Sequence, residues 1–303
     1  MSRSGSSPAV ELRGAAKSFG SVQALKGIDL AVQQGETVAL LGPNGAGKTT
    51  AISLMLGLRQ PTAGRALLLG RDPRDMDSRR RIGVMLQESG VPHTLKVREV
   101  AEMIRRLYDR PMDTLAALQL AQLHDKANAL VATLSGGQRQ RLYFALAIIG
   151  NPDVLFLDEP TVGLDVEARR SFWQQIAALV GAGKTVILTT HYLEEADALA
   201  DRIVVINQGL IVAEGTPSQI KATVGGKRVR FRAPGLSDER LHALPGVQRV
   251  TRVADMIEFY AIEPELPLAR LFGDGVALSE LEVVGAGLEE AFMSITQTPA
   301  RGA

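Results

Sequence analysis

The 303-residue chain predicts an α/β fold followed by a small α+β domain. Three observations carry that prediction. First, a glycine-rich loop, Gly42-Pro43-Asn44-Gly45-Ala46-Gly47-Lys48-Thr49-Thr50, lies between an apolar run at 38–41 that reads as a strand and a breaker-poor stretch at 51–58 that reads as a helix. Second, the apolar run at 154–157 reads as a buried strand and ends in Asp158-Glu159-Pro160. Third, the composition shifts at Gly225-Gly226, and the alternation Arg228-Val229-Arg230-Phe231-Arg232 then reads as a half-exposed strand. The expected domains are therefore 9–224 and 225–303.

The elements follow in order. Residues 9–41 read as short strands around turns, and Pro61-Thr62-Ala63-Gly64 as a turn. A strand is expected at 82–86, ending at Gln87. From 97 to 130 the pattern turns helical: Val97, Val100, Ala101, Ile104 and Leu107 recur at helical spacing, Pro111 breaks the run, and Leu115, Leu118 and Leu123 resume it. This predicts a helical subdomain, about residues 90–150, inserted into the core. Ser135 reads as the cap of a helix reaching Ile149. A helix is expected at 166–180, stopped by Gly181, then a strand at 185–189 followed by His191. Runs at 203–206 and 210–212 flank Asn207-Gln208-Gly209, a hairpin signal. Thr216-Pro217 opens a further helix, with threonine as cap and proline in its first turn. In the last domain, strands are expected at 228–232, 256–261 and 281–284, and a helix at 288–296.

Composition narrows the function classes. A formal net charge of +1 gives no global field for nucleic acid or an anionic membrane. With no cysteine, disulfides, thiolate metal sites and cysteine catalysis are excluded. The start is polar and lacks the apolar core of a secretory signal. The longest unbroken apolar run, 142–149, has eight residues against the ~20 of a membrane span, so membrane work would need a partner.

Residues 42–49 fit G-x-x-x-x-G-K-[ST], a phosphate-binding loop. Its glycines let backbone N–H groups turn inward around phosphate oxygens, Lys48 supplies charge to the β- and γ-phosphates, and Thr49 offers a hydroxyl to Mg²⁺. Asp158, at a strand end, suits a Mg²⁺-positioning carboxylate, and Glu159 beside it can orient or deprotonate an attacking water. Gly181-Ala182-Gly183-Lys184-Thr185 looks similar but precedes a strand and reads as a turn. The second glycine motif, Leu134-Ser135-Gly136-Gly137-Gln138, puts a serine and bare N–H groups at a helix N-terminus, where an anion is stabilised.

With both motifs present, the chain resembles the ATP-binding cassette (ABC) ATPases over roughly residues 10–220. The resemblance implies a P-loop NTPase core that binds ATP and Mg²⁺ and works as a dimer. In such a dimer Ser135, Gly136, Gly137 and Gln138 of one subunit face the γ-phosphate held by the other. It further implies that Gln87 touches Mg²⁺ and water and senses a membrane partner, and that Leu164-Asp165 crosses the dimer interface. His191 would contact the γ-phosphate, and Phe19, 23 residues before Gly42, would stack on adenine. Arg79-Arg80-Arg81 reads as a solvated run.

The tail, through Leu288-Glu289-Glu290-Ala291-Phe292-Met293-Ser294-Ile295-Thr296, resembles the extension of antibiotic-resistance-type ATPases of type-2 ABC exporters. The function implied is the ATP-hydrolysing subunit of an exporter, at the cytoplasmic face of the membrane, driving a separate integral permease through closure of a homodimer, with no role for nucleic acid. The alternative is a soluble regulatory or assembly ATPase without a transport partner. A kinase or GTPase reading leaves residues 134–138 without a role.

Overall fold

The computed structural model describes residues 7–86, 90–223, 226–285 and 287–297, in two compact units that meet between Thr216 and Pro217. The N-terminal unit is built on a six-stranded sheet in the order β5(Ile82–Met85), β6(Val154–Asp158), β7(Thr185–Thr189), β3(Thr37–Leu41), β8(Arg202–Asn207), β9(Leu210–Gly215). The first five strands run parallel and β9 returns antiparallel. β3, β6 and β7 are buried along their whole length, so they read as continuous apolar runs rather than as alternation.

A second, antiparallel sheet joins β1(Val10–Phe19), β2(Val22–Val32) and β4(Ala63–Leu68) in the order β2-β1-β4. α1(Lys48–Met55) shares one core with both sheets: Ile52, Leu54 and Met55 pack with Leu12 and Leu30 on one side and Leu40, Phe156 and Ile187 on the other. Arg202 fastens the sheets at one end, donating from Nε to Glu36 at 2.6 Å, from Nη1 to Glu214 and from Nη2 to the Ala31 carbonyl.

Several boundaries differ from the sequence reading. β1 and β2 are long strands of 10 and 11 residues, because each borrows length from pairing with the other. The expected turn at 61–64 gives way at Ala63 to β4, whose pairing with β1 overrides the local Pro-Gly signal. α1 begins at Lys48, inside the phosphate loop, and ends at Met55, short of the expected 58. α2(Met76–Arg79) holds the first arginine of the basic run; the next two are ion-paired, Arg80 with Asp109 at 3.1 Å and Arg81 with Asp153 at 2.6 Å.

The helical segment contains α3(Val97–Arg105), α4(Thr114–Leu120) and α5(Gly136–Ile148). Val97, Val100 and Ala101 are buried along α3, as their spacing requires. α6(Val166–Gly181) and α7(Leu193–Leu199) flank β7 in the chain. Among the described residues, no helix is long and apolar enough to cross a membrane.

The C-terminal unit opens with α8(Pro217–Ala222), which packs on α11(Leu288–Gln297) although it precedes the composition shift. Its antiparallel sheet runs β11(Val247–Val253), β12(Met256–Ala261), β10(Lys227–Arg232), β13(Ser279–Gly285). Alternation along β10 and β12 buries Val229, Phe231, Ile257 and Phe259 on one face, with Leu241 of α9(Asp238–His242) and Leu271 of α10(Glu265–Gly273). Arg228 and Tyr260 meet Glu290 of α11, and burial together with Glu258 and Glu290 pushes the Tyr260 hydroxyl up to about 12.

Candidate nucleotide site

The phosphate loop leaves β3 and runs straight into α1. A Cβ on Gly42 would stand 2.1 Å from the Ile206 carbonyl oxygen, so only glycine fits there. Gly47 takes φ +113 as the cap of α1, a region that favours glycine, and no side chain caps the helix. The free N–H groups of the first turn therefore face outward as an anion site. The loop is braced from afar: the turn between β8 and β9 donates Gly209 N–H to the Ala46 carbonyl at 3.0 Å and accepts Lys26 N–H at 2.9 Å.

Phe19, Asn44, Gly45, Ala46, Gly47, Lys48, Thr49, Thr50, Asp158 and Glu159 line one cleft of about 360 Å³, joined by Ala24. Lys48 Nζ donates to the carbonyls of Gly42 (2.7 Å) and Pro43 (3.2 Å). Burial lowers its pKa, and the charges of Glu159 and Asp158 oppose that shift. Phe19 is 40% exposed, with the Arg59 guanidinium 4.9 Å and Lys17 Nζ 5.5 Å from its ring centroid.

The carboxylates are set by the register of two parallel strands, which pairs Asp158 with Thr189. Asp158 is only 5% exposed, and its Oδ1 accepts the Thr189 hydroxyl. Glu159 sits at φ +52, unusual for a residue with a side chain, and its N–H donates to Thr189 at 3.1 Å, to the carbonyl and to the hydroxyl. Its Oε2 lies 2.6 Å from His191 Nδ1, and the His191 ring packs against Tyr192 at 4.0 Å. The cleft thus combines phosphate donors, a buried carboxylate and a carboxylate–imidazole pair, the parts needed to hold a phosphoanhydride and direct a water at it.

The remaining expected residues form a separate group. Ser135 caps α5 through a reciprocal box: Gln138 N–H donates to Ser135 Oγ at 3.3 Å and Ser135 N–H to Gln138 Oε1 at 3.0 Å. The Gly136 position is open, whereas a Cβ on Gly137 would come within 3.1 Å of Leu164. Asp165 caps α6, accepting Ala168 N–H at 2.8 Å. None of these five residues lines the cleft. Gln87 lies outside the described residues. Thr189, which holds the Asp158 carboxylate and the Glu159 N–H, was missed by sequence reasoning. Its only signal is its place as the last residue of the strand beside 154–158, and nothing local shows that the two strands are neighbours.

Comparison with known proteins agrees with this architecture. A family model described as ABC transporter matches residues 25–162. Nod factor export ATP-binding protein I of Burkholderia orbicola is 37% identical over 300 residues, covering 95% of this chain and 96% of the relative. Daunorubicin resistance ATP-binding protein DrrA3 of Streptomyces coeruleorubidus is 43% identical over 228 residues, 73% and 72% of the two chains. Among solved structures, a dimeric ATP-binding cassette in a post-hydrolysis state bound to ADP and Pi superposes with a TM-score of 0.63 at 28% identity, covering 68% of this chain and 98% of that one.

Proposed function

The chain belongs to the ABC transporter family and is an ATP-hydrolysing subunit of the exporter kind; from that premise we propose how its residues divide the work. ATP lies in the 360 Å³ cleft with its phosphates on the first turn of α1 and Lys48, and its base on Phe19. Thr49 and Asp158, with Gln87, would hold Mg²⁺, which supplies charge neutralisation for the phosphates. The fit is supported by Asp158, a buried carboxylate with one oxygen engaged by Thr189 and a place in the cleft wall beside Thr49. Glu159 orients and deprotonates the attacking water, and His191 fixes the Glu159 carboxylate and reaches for the γ-phosphate.

Ser135, Gly136, Gly137 and Gln138 act on the cleft of a second, identical subunit, with Leu164 and Asp165 at the same interface. The approach of Leu164 to Gly137, which puts the two motifs side by side, supports this division. The partner in the membrane is an integral permease, which places the subunit at the cytoplasmic face. A groove of about 430 Å³ lined by Leu58, Val84, Leu86, Leu107 and Tyr143, among others, supports that docking, since Leu58 and Leu107 stay more than half exposed. The names of the relatives, one for Nod factor export and one for daunorubicin resistance, support export; the cargo contacts the permease.

The observation that carries the reading is the 2.6 Å contact of His191 with Glu159, which lines the phosphate cleft. The experiment is purification of the Glu159→Gln chain with ATP and Mg²⁺ from detergent-solubilised membranes of its own cell. A nucleotide-loaded dimer with a stoichiometric polytopic membrane protein is expected. A soluble dimer without one favours the regulatory ATPase, and wild-type turnover in the variant removes Glu159 from its role.

A further inference from the structure

Among the described residues, Glu195 is the one buried carboxylate that the proposed chemistry does not use. It stands in the first turn of α7 at 0% exposure, and among the described residues no lysine, arginine or histidine forms an ion pair with it. Two donors from two segments converge on it. Trp173 Nε1 of α6 donates to Oε1 at 3.0 Å, and the Thr161 hydroxyl, two residues past Glu159, donates to Oε2 at 3.3 Å. The hydroxyl of Thr190, next to His191, accepts Tyr192 N–H at 2.9 Å and donates to the Tyr192 carbonyl at 3.5 Å, and it also works against the upward shift of Glu195.

A second contact joins the same elements. Arg169, one helical turn before Trp173 on α6, lies over the Tyr192 ring at 3.8 Å, and Tyr192 packs on His191. The segment 190–195 is thus held to α6 at two points. α6 itself starts at the Asp165 cap, directly after Leu164, which faces Gly137. Burial raises the pKa of Glu195, and the nearby Glu159 charge adds to that direction. A carboxylate kept here against its own desolvation is a point where sequence serves something other than packing.

We propose that Glu195 is a positioning residue: by tying Thr161 and Trp173 to the segment 190–195 it sets the His191–Glu159 pair against the start of α6, so that movement at Leu164–Asp165 reaches the hydrolytic pair through α6 rather than through the phosphate loop. The inference rests on the hydrolytic reading above. It acts on the orientation of His191 and leaves the cleft for nucleotide intact.

The test uses the full chain with Glu195→Ala, Glu195→Gln and Trp173→Phe, and two readouts. The first is steady-state ATP turnover with Mg²⁺. Glu195→Ala lowers kcat at least 10-fold while KM for ATP stays within 2-fold. Glu195→Gln, which keeps an oxygen acceptor for Trp173, stays within about 3-fold of wild type. The second readout is the imidazole NMR signals, four histidines in all, with His191 assigned by its loss in His191→Ala. Glu195→Ala and Trp173→Phe shift the His191 signals, whereas Glu195→Gln leaves them close to wild type.

Wild-type kcat and unmoved His191 signals in folded Glu195→Ala overturn the proposal, as does an equal loss in the Ala and Gln variants. If Glu195→Ala does not fold, Trp173→Phe decides: unchanged kcat and unchanged His191 signals overturn it. A wild-type chain without turnover whose His191 signals still respond overturns the hydrolytic reading instead and leaves the positioning role standing.

Discussion

Replacing Thr189 by valine isolates one hydroxyl that serves the Asp158 carboxylate and the Glu159 backbone. The residue is fully buried and valine matches its shape, so no cavity opens. Two bonds are at stake. Glu159 N–H loses the hydroxyl but keeps the Thr189 carbonyl at 3.1 Å, so its φ +52 conformation retains an anchor. Asp158 Oδ1 loses its donor outright at 5% exposure. A hydrogen bond to a charged group is worth about 1.5–3 kcal/mol, which puts the loss near 2 kcal/mol. For a unit ending at Thr216, each kcal/mol moves Tm by ~2–4 °C, so the N-terminal transition should fall by about 4–8 °C. Calorimetry of the full chain in EDTA without nucleotide reads it, with the C-terminal transition as internal control. In an Asp158→Ala background the further loss should vanish, because the two residues act as one pair. A fall below 1 °C in the single variant, or an additive loss in the double, refutes the argument.

Three further outcomes follow from the same structure. Gly83→Ala puts a Cβ 1.9 Å from the Ala147 carbonyl oxygen, forcing β5 and α5 apart; the urea midpoint should drop by the equivalent of about 3 kcal/mol at unchanged m. Asp165→Ala removes the cap of α6 and should cost about 1 kcal/mol in thermal unfolding, with Asp165→Ser recovering most of it. Glu195 has a raised folded pKa, so the wild type loses stability as pH rises from the ordinary carboxylate range, about 4.3, towards the folded value, and the full penalty stands above it. The Tm of Glu195→Gln relative to wild type should therefore grow more favourable across that rise and then level off; a pH-independent difference contradicts the assignment.

What could be read in the chain was local. The phosphate loop, the serine-capped glycine pair and the Asp158-Glu159 strand end each state their chemistry in a few consecutive residues. The same holds for β7, whose bounds match, and for the hairpin at 207–209. What escaped was relational. Thr189 matters because β6 and β7 lie side by side, and Trp173 because it faces a glutamate 22 residues on. β4 was hidden behind a genuine turn signal, since its reason to exist is the open edge of β1. β11, α9 and α10 went unseen in the C-terminal unit. α9, at five residues, is too short to show a period, and β11 places Arg249 and Arg252 among its valines.

The brace between Gly209 and Ala46 gives the phosphate loop a history as well as a shape. Its motif is complete by Thr50, yet its Ala46 carbonyl is held by Gly209, and Gly209 follows Gly47 by 162 residues. At roughly 5–20 residues per second on the ribosome, the loop is synthesised about 8–32 s before the residues that lock it. A nascent chain cut short before the β8–β9 turn therefore carries the whole motif without the contact that braces its Ala46 carbonyl.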